Sequence, residues 1–127
     1  FLIKSLNLED KVMFKPAIQR NKLPNVYSHS KLFINLTPAG FGDKVAWEAM
    51  ACETPTLVAN PGMKETLGEY ENLCLFEYKN ENDLAVKMLQ ILQMSDKERN
   101  QMGLYLRNQV IKLHSLEALP QKVLSLF

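Results

Sequence analysis

Four short runs in this chain have apolar centres that do not alternate with polar residues: Lys11-Val12-Met13-Phe14-Lys15, Leu32-Phe33-Ile34-Asn35-Leu36, Thr56-Leu57-Val58-Ala59 and Asn72-Leu73-Cys74-Leu75-Phe76. A strand with one face in water alternates, whereas a strand covered on both faces does not. Helical patterns separate these runs. That order predicts an α/β fold: a Rossmann-like, doubly wound parallel sheet with helices on both faces. Ligands of such sheets bind at the carboxyl ends of the strands. Here those ends open into the loops 16–21, 37–44, 60–64 and 77–80.

The helical segments carry their own start signals. Phe1 to Leu6 reads as the tail of a helix. Asn21 precedes a short one with Pro24 near its start and Leu23, Val26 and Tyr27 on one face. Met63 to Glu69 reads as another. Asn80, with Asp83 three residues on, caps a helix whose inner face is Leu84, Met88, Ile91 and Leu92. Ser95-Asp96-Lys97-Glu98 is a capping box, followed by Met102, Tyr105, Leu106, Val110 and Leu113 at helical spacing. Ser115 to Phe127, with Leu116, Leu119, Val123, Leu124 and Phe127, closes the chain as a helix.

Composition excludes several classes. Nearly half of the 127 residues are apolar, at 46%, so one domain-sized core is available. Net charge is +1 with acids and bases interspersed, which gives no footprint for nucleic acid. Cys52 and Cys74 lie apart in apolar surroundings and read as free buried thiols, and no metal-ligand cluster is visible. No apolar run approaches the roughly 20 residues that span a bilayer, and no signal peptide is present, so a cytoplasmic location is expected. The chain opens on Phe1 rather than Met, and is read as a piece of a longer protein.

The stretch with chemical content is Thr37-Pro38-Ala39-Gly40-Phe41-Gly42-Asp43-Lys44-Val45-Ala46-Trp47-Glu48-Ala49-Met50-Ala51-Cys52. A strand, a glycine turn and a helix aim backbone N–H groups and a helix N-terminus at an anion. Glu48 falls about one turn into the apolar helix. A poorly solvated carboxylate there needs a hydrogen-bond partner, protein or ligand. His29 and His114 have no acid or nucleophile in pattern and read as surface or packing residues. Trp47 directly precedes Glu48 and so points elsewhere, into the core.

Three sets of residues together carry a resemblance. Val12-Met13-Phe14 with Leu23-Pro24-Asn25-Val26-Tyr27 resembles the "V-x-F-x-G … L-P-x-x-Y" run of nucleotide-sugar glycosyltransferases. Gly40-Phe41-Gly42 with Glu48-Ala49-Met50-Ala51-Cys52 and Thr54-Pro55 resembles their "E-G-F-G-x-x-x-x-E-A-M-A-x-G-x-P" signature. Asn60-Pro61-Gly62-Met63-Lys64-Glu65, running on to Asn72-Leu73-Cys74-Leu75-Phe76, stands where they have "G-G-x-x-E … G-x-L". The chain is thereby similar to the C-terminal, donor-binding domain of a GT-B fold glycosyltransferase of the retaining family 4 type.

The resemblance implies that Gly40, Phe41, Gly42, Asp43, Lys44 and Val45 hold the diphosphate of a UDP-sugar or GDP-sugar. It implies that Glu48 binds the ribose hydroxyls and that Lys15, Pro16 and Ala17 line the nucleobase. It further implies an acceptor and any catalytic base on an N-terminal domain outside this chain, transfer without a metal or cofactor, and an incompetent fragment. A membrane-linked acceptor, reached by peripheral docking at the inner membrane face, is left open. The family's first motif glutamate falls on Gly40 or Ala39, neither of which has a carboxylate, and its glycine after "Ala-Cys" is Glu53. A non-catalytic nucleotide-sugar module and a GT-B fold sugar-nucleotide epimerase share these features.

Overall fold

The computed structural model describes all residues, Phe1 to Phe127. The elements run α1 (Leu2–Ser5), a 3-10 turn (Arg20–Lys22), α2 (Leu23–Ser28), β1 (Phe33–Asn35), α3 (Lys44–Ala51) and β2 (Thr56–Val58). A 3-10 turn (Pro61–Met63), α4 (Lys64–Leu67), a second 3-10 turn (Gly68–Tyr70) and α5 (Glu71–Cys74) follow. Then come α6 (Glu81–Gln93), α7 (Asp96–His114), a 3-10 turn (Leu116–Ala118) and α8 (Leu119–Leu124).

The sheet is parallel and small. β1 pairs with β2 in the register Phe33 to Thr56, Ile34 to Leu57 and Asn35 to Val58. Leu75 adds a single parallel bridge to Val58. All three residues of β2 are buried, as a central position requires. Ala46 and Met50 of α3 meet Leu57 and Val58, Leu67 of α4, Ile91 of α6, and Met102 and Leu106 of α7 in one core.

The caps of α6 and α7 form as read, but Asn21 caps nothing: it lies inside the 3-10 turn, and α2 starts after Lys22 with no side-chain cap. Asn80 Oδ1 accepts the Asp83 amide at 2.9 Å. The Glu98 amide donates to Ser95 Oγ, and the Ser95 amide donates to Glu98 Oε2 at 2.7 Å, completing the box. Each side-chain cap satisfies amides that the helix itself cannot.

Several expected elements differ. Lys11–Lys15 is not a strand: the Lys11 and Val12 amides close a turn on Leu8 O, residues 13–15 continue as irregular backbone, and all five are exposed. A strand needs a neighbour to receive its amides and carbonyls, and none lies beside it. Asn72–Phe76 forms the end of α5 plus one bridge. The Leu75 amide is still committed to Glu71 O at 2.9 Å, so Phe76 is the first residue whose amide reaches Val58 O, at 3.0 Å. The Met63–Glu69 helix is split at Gly68, whose φ is +53°. On α6 the inner face is Leu84, Met88 and Ile91, while Leu92 is exposed. The closing helix is two short pieces with Leu116, Leu119 and Leu124 in solvent.

The accessible surface is 9272 Å², about a third above the roughly 6,900 Å² of a compact monomer of this mass. The excess lies in the two flanks, where Phe1, Leu2, Met13, Phe14, Leu126 and Phe127 stand exposed.

Candidate functional site

The loop between β1 and α3 is tied down by two carboxamides at the carboxyl ends of the strands. Asn35, the last residue of β1, accepts the Thr37 amide at 3.1 Å and the Thr37 hydroxyl at 2.8 Å through Oδ1. Its Nδ2 donates to Asp43 Oδ1. Asn60, just past β2, donates from Nδ2 to the Phe41 carbonyl at 2.9 Å and accepts the Gly62 amide at 2.9 Å. The loop crest is open. Phe41 is exposed, and a Cβ built on Gly40 or Gly42 meets nothing within 4 Å. Gly40 has φ +87°, a conformation L side chains rarely adopt. A carboxylate side chain at that position would therefore carry backbone strain, which accounts for glycine there.

Asp43 sits at the N-cap of α3 and does not cap it. Its side chain turns back to Asn35, and the residue is 2% exposed. Oδ2 is buried without a partner. Burial pushes the carboxyl above its ordinary value, and the Asn35 hydrogen bond opposes this. With the side chain turned away, the amides of Lys44, Val45 and Ala46 find no acceptor in the chain; the Trp47 amide is the first to bond, to Asp43 O at 3.1 Å. Of these, Lys44 and Val45 are exposed where the glycine loop enters the helix, at the positive end of its dipole, while Ala46 is wholly buried in the core.

Glu48 lies four residues past Lys44, on the same face of α3. It is half-buried in a cleft of about 300 Å³ shared with Arg20, Leu23, Tyr27 and Cys52. Its carboxylate has neither a hydrogen bond nor an ion pair with the chain, so the protein partner that an apolar setting demands is absent. Arg20 and Tyr27 are the residues that sequence reasoning left out of this cleft. Burial, then the Glu48 and Cys52 charges, push the Tyr27 hydroxyl up.

Other expected residues fall around this centre. Lys44 and Val45 are exposed on the first turn of α3. Lys15, Pro16 and Ala17 are exposed, irregular, and not among the residues lining the Glu48 cleft. A wider crevice of about 580 Å³ opens at the strand ends between Pro38, Ala39, Ala59, Lys64 and Tyr78. No three His, Cys, Asp or Glu side chains come together as a metal-ligand group. Trp47 packs flat on His114, with centroids 4.0 Å apart and planes 22° apart. His29 holds the end of α2 through the Asn25 carbonyl at 2.8 Å. Cys52 and Cys74 are free thiols, and burial pushes Cys74 up to about 12.

The glycine loop and the glutamate in the helix that follows are the residues of the second motif above. A model of the family "Glycosyl transferases group 1" matches residues 1–109. The chain belongs to the glycosyl transferases group 1 family. Within that family it is 35% identical over 91 residues to the mannosylfructose-phosphate synthase of Agrobacterium fabrum, covering 68% of this chain and 19% of that protein. Its fold superposes on the sucrose-phosphate synthase of Thermosynechococcus elongatus with a TM-score of 0.82 at 29% identity. That match covers 98% of this chain and 31% of the other. The chain thus spans 19% and 31% of the lengths of these two synthases, and it has the fold of a GT-B glycosyltransferase fragment. No helix is long and apolar enough to cross a membrane.

Proposed function

We propose that this chain is the donor-binding part of a retaining, family 4 type glycosyltransferase that uses a UDP-sugar or GDP-sugar. The observation that carries the reading is the pair of exposed, acceptor-free amides at Lys44 and Val45, with the unpartnered Glu48 carboxylate one turn further on. In this reading the diphosphate lies over the Gly40–Gly42 crest against those amides, and Lys44 meets it as a point charge. Glu48 accepts hydrogen bonds from the ribose hydroxyls. Arg20 and Tyr27 close the same cleft, beyond the Lys15–Ala17 loop that the family pattern assigns to the nucleobase. The amides stabilise charge as the diphosphate leaves, and no metal is required for that. The acceptor and any base lie on a second domain of the full protein, which works in the cytoplasm. The names of the two relatives specify phosphorylated sugar products, which makes a sugar phosphate the first acceptor to assay.

The test is calorimetry of UDP and GDP on the full polypeptide. Glu48→Ala is expected to weaken binding tenfold or more, about 1.4 kcal/mol. Absence of binding, or binding indifferent to Glu48, would sink the donor-site reading. Product analysis with labelled UDP-sugars separates transfer from epimerisation.

A further inference from the structure

We propose that Asn35 and Asp43 are positioning residues: a buried carboxamide–carboxyl latch that sets the Thr37–Gly42 loop and keeps the first amides of α3 free for the ligand. The inference rests on the reading of that loop as the diphosphate seat.

The geometry carries it in three steps. An Asp at an N-cap ordinarily accepts an amide of the first turn, and that cap stabilises a helix by about 1 kcal/mol. Asp43 forgoes this bond and bonds to the end of β1 instead. The same Asn35 side chain takes the Thr37 amide and hydroxyl, so one carboxamide holds both ends of the loop, Thr37 and Asp43, against the sheet. Asn60 pins the middle through the Phe41 carbonyl. Asn35 is thus a polar residue inside an apolar strand, half-buried and with both amide ends used. The cost of burying Asp43 with Oδ2 unpartnered is a local expense that a purely structural turn has no reason to carry. In return, the amides of Lys44 and Val45 stay uncovered and the crest is held in place, so that binding does not have to order it.

The chemistry predicts a diagnostic pair of variants. Asn35→Asp places two carboxyls face to face, which repel and open the latch. Adding Asp43→Asn restores it with the roles reversed: Asn at 43 donates to Asp at 35, which still accepts both bonds from Thr37. The experiment measures two quantities on the full polypeptide. One is the Kd of UDP and GDP by calorimetry. The other is hydrogen exchange of the amides from Gly40 to Ala46, read against those of β1 and β2. Asn35→Asp is expected to lose tenfold or more in affinity and to speed exchange in the loop while the β2 amides stay protected. The double variant is expected to recover both. Wild-type affinity and loop protection in Asn35→Asp, or no recovery in the double variant, overturn the latch. If the wild-type chain binds neither nucleotide, the donor-site reading fails, and the exchange data decide the latch independently.

Discussion

Gly103 of α7 presses directly on the backbone of Glu53, the residue at which the chain leaves α3. A Cβ built at Gly103 overlaps the Glu53 carbonyl oxygen and stands 2.8 Å from its carbon. The contact explains a glycine in the middle of a 19-residue helix, where it otherwise costs roughly 1 kcal/mol against alanine. Gly103→Ala is therefore expected to destabilise the fold by about 1 to 3 kcal/mol, despite the better helix propensity. Chemical denaturation decides it: a midpoint equal to or above wild type contradicts the contact.

Glu53 itself has φ +61°, in the left-handed region. Such a conformation costs a non-glycine residue about 1 to 2 kcal/mol. What Glu53 gains in return is an exposed ion pair with Arg107 at 3.8 Å, which is worth little. The family pattern has glycine here. Glu53→Gly is expected to stabilise the chain by about 0.5 to 1 kcal/mol after the extra unfolded-state entropy of glycine is subtracted. An unchanged or lowered thermal midpoint goes against the strain argument.

His114 stacks on Trp47 and shares a 2.7 Å hydrogen bond between Nε2 and Thr66 Oγ1. Burial, and then the Lys122 ammonium, hold the imidazole below its ordinary value of 6.5, against a smaller upward pull from Glu65. Between its folded value and 6.5 the unfolded chain binds more protons than the native one, so stability rises with pH in that window. The native state is thus expected to lose stability as pH falls through 6.5 and to level off below the folded value. His114→Gln removes that step from the stability–pH curve. A variant curve parallel to wild type between pH 5 and 7 refutes the assignment.

Nucleotide binding and the latch add two further expectations, for Glu48→Ala and for the Asn35→Asp and Asp43→Asn pair. They differ in kind. Loss at Glu48 removes a group proposed to touch the ligand and leaves the loop in place. Loss at Asn35 loosens the loop and leaves every ligand-touching group present.

Much of this architecture is legible in the residues themselves, because it rests on local rules. The β1 and β2 runs, the glycine turn into α3, the Asn80 cap and the Ser95–Glu98 box depend on neighbours within four residues. Glu48 stands out for the same reason: it is the one charge among the apolar residues that follow Lys44 in α3. The chain's own chemistry thus determined an α/β fold with a glycine loop and a helix N-terminus at the end of β1.

Only the tertiary structure decided the rest, since long-range partners set it. Lys11–Lys15 has strand composition but no neighbour to pair with. Leu73 and Cys74 have strand composition too, yet they lie in α5, whose last turn takes the Leu75 amide to Glu71 O before the chain can join the sheet. The resemblance puts Asp43 among the residues that hold the diphosphate, but its side chain turns inward. Its inward turn follows from the position of Asn35, eight residues away and on another element. Arg20 and Tyr27 join Glu48 because α2 packs on α3. Side-chain direction at a loop is set by which buried donor it can reach, and that distance exists only once the sheet and helices have come together.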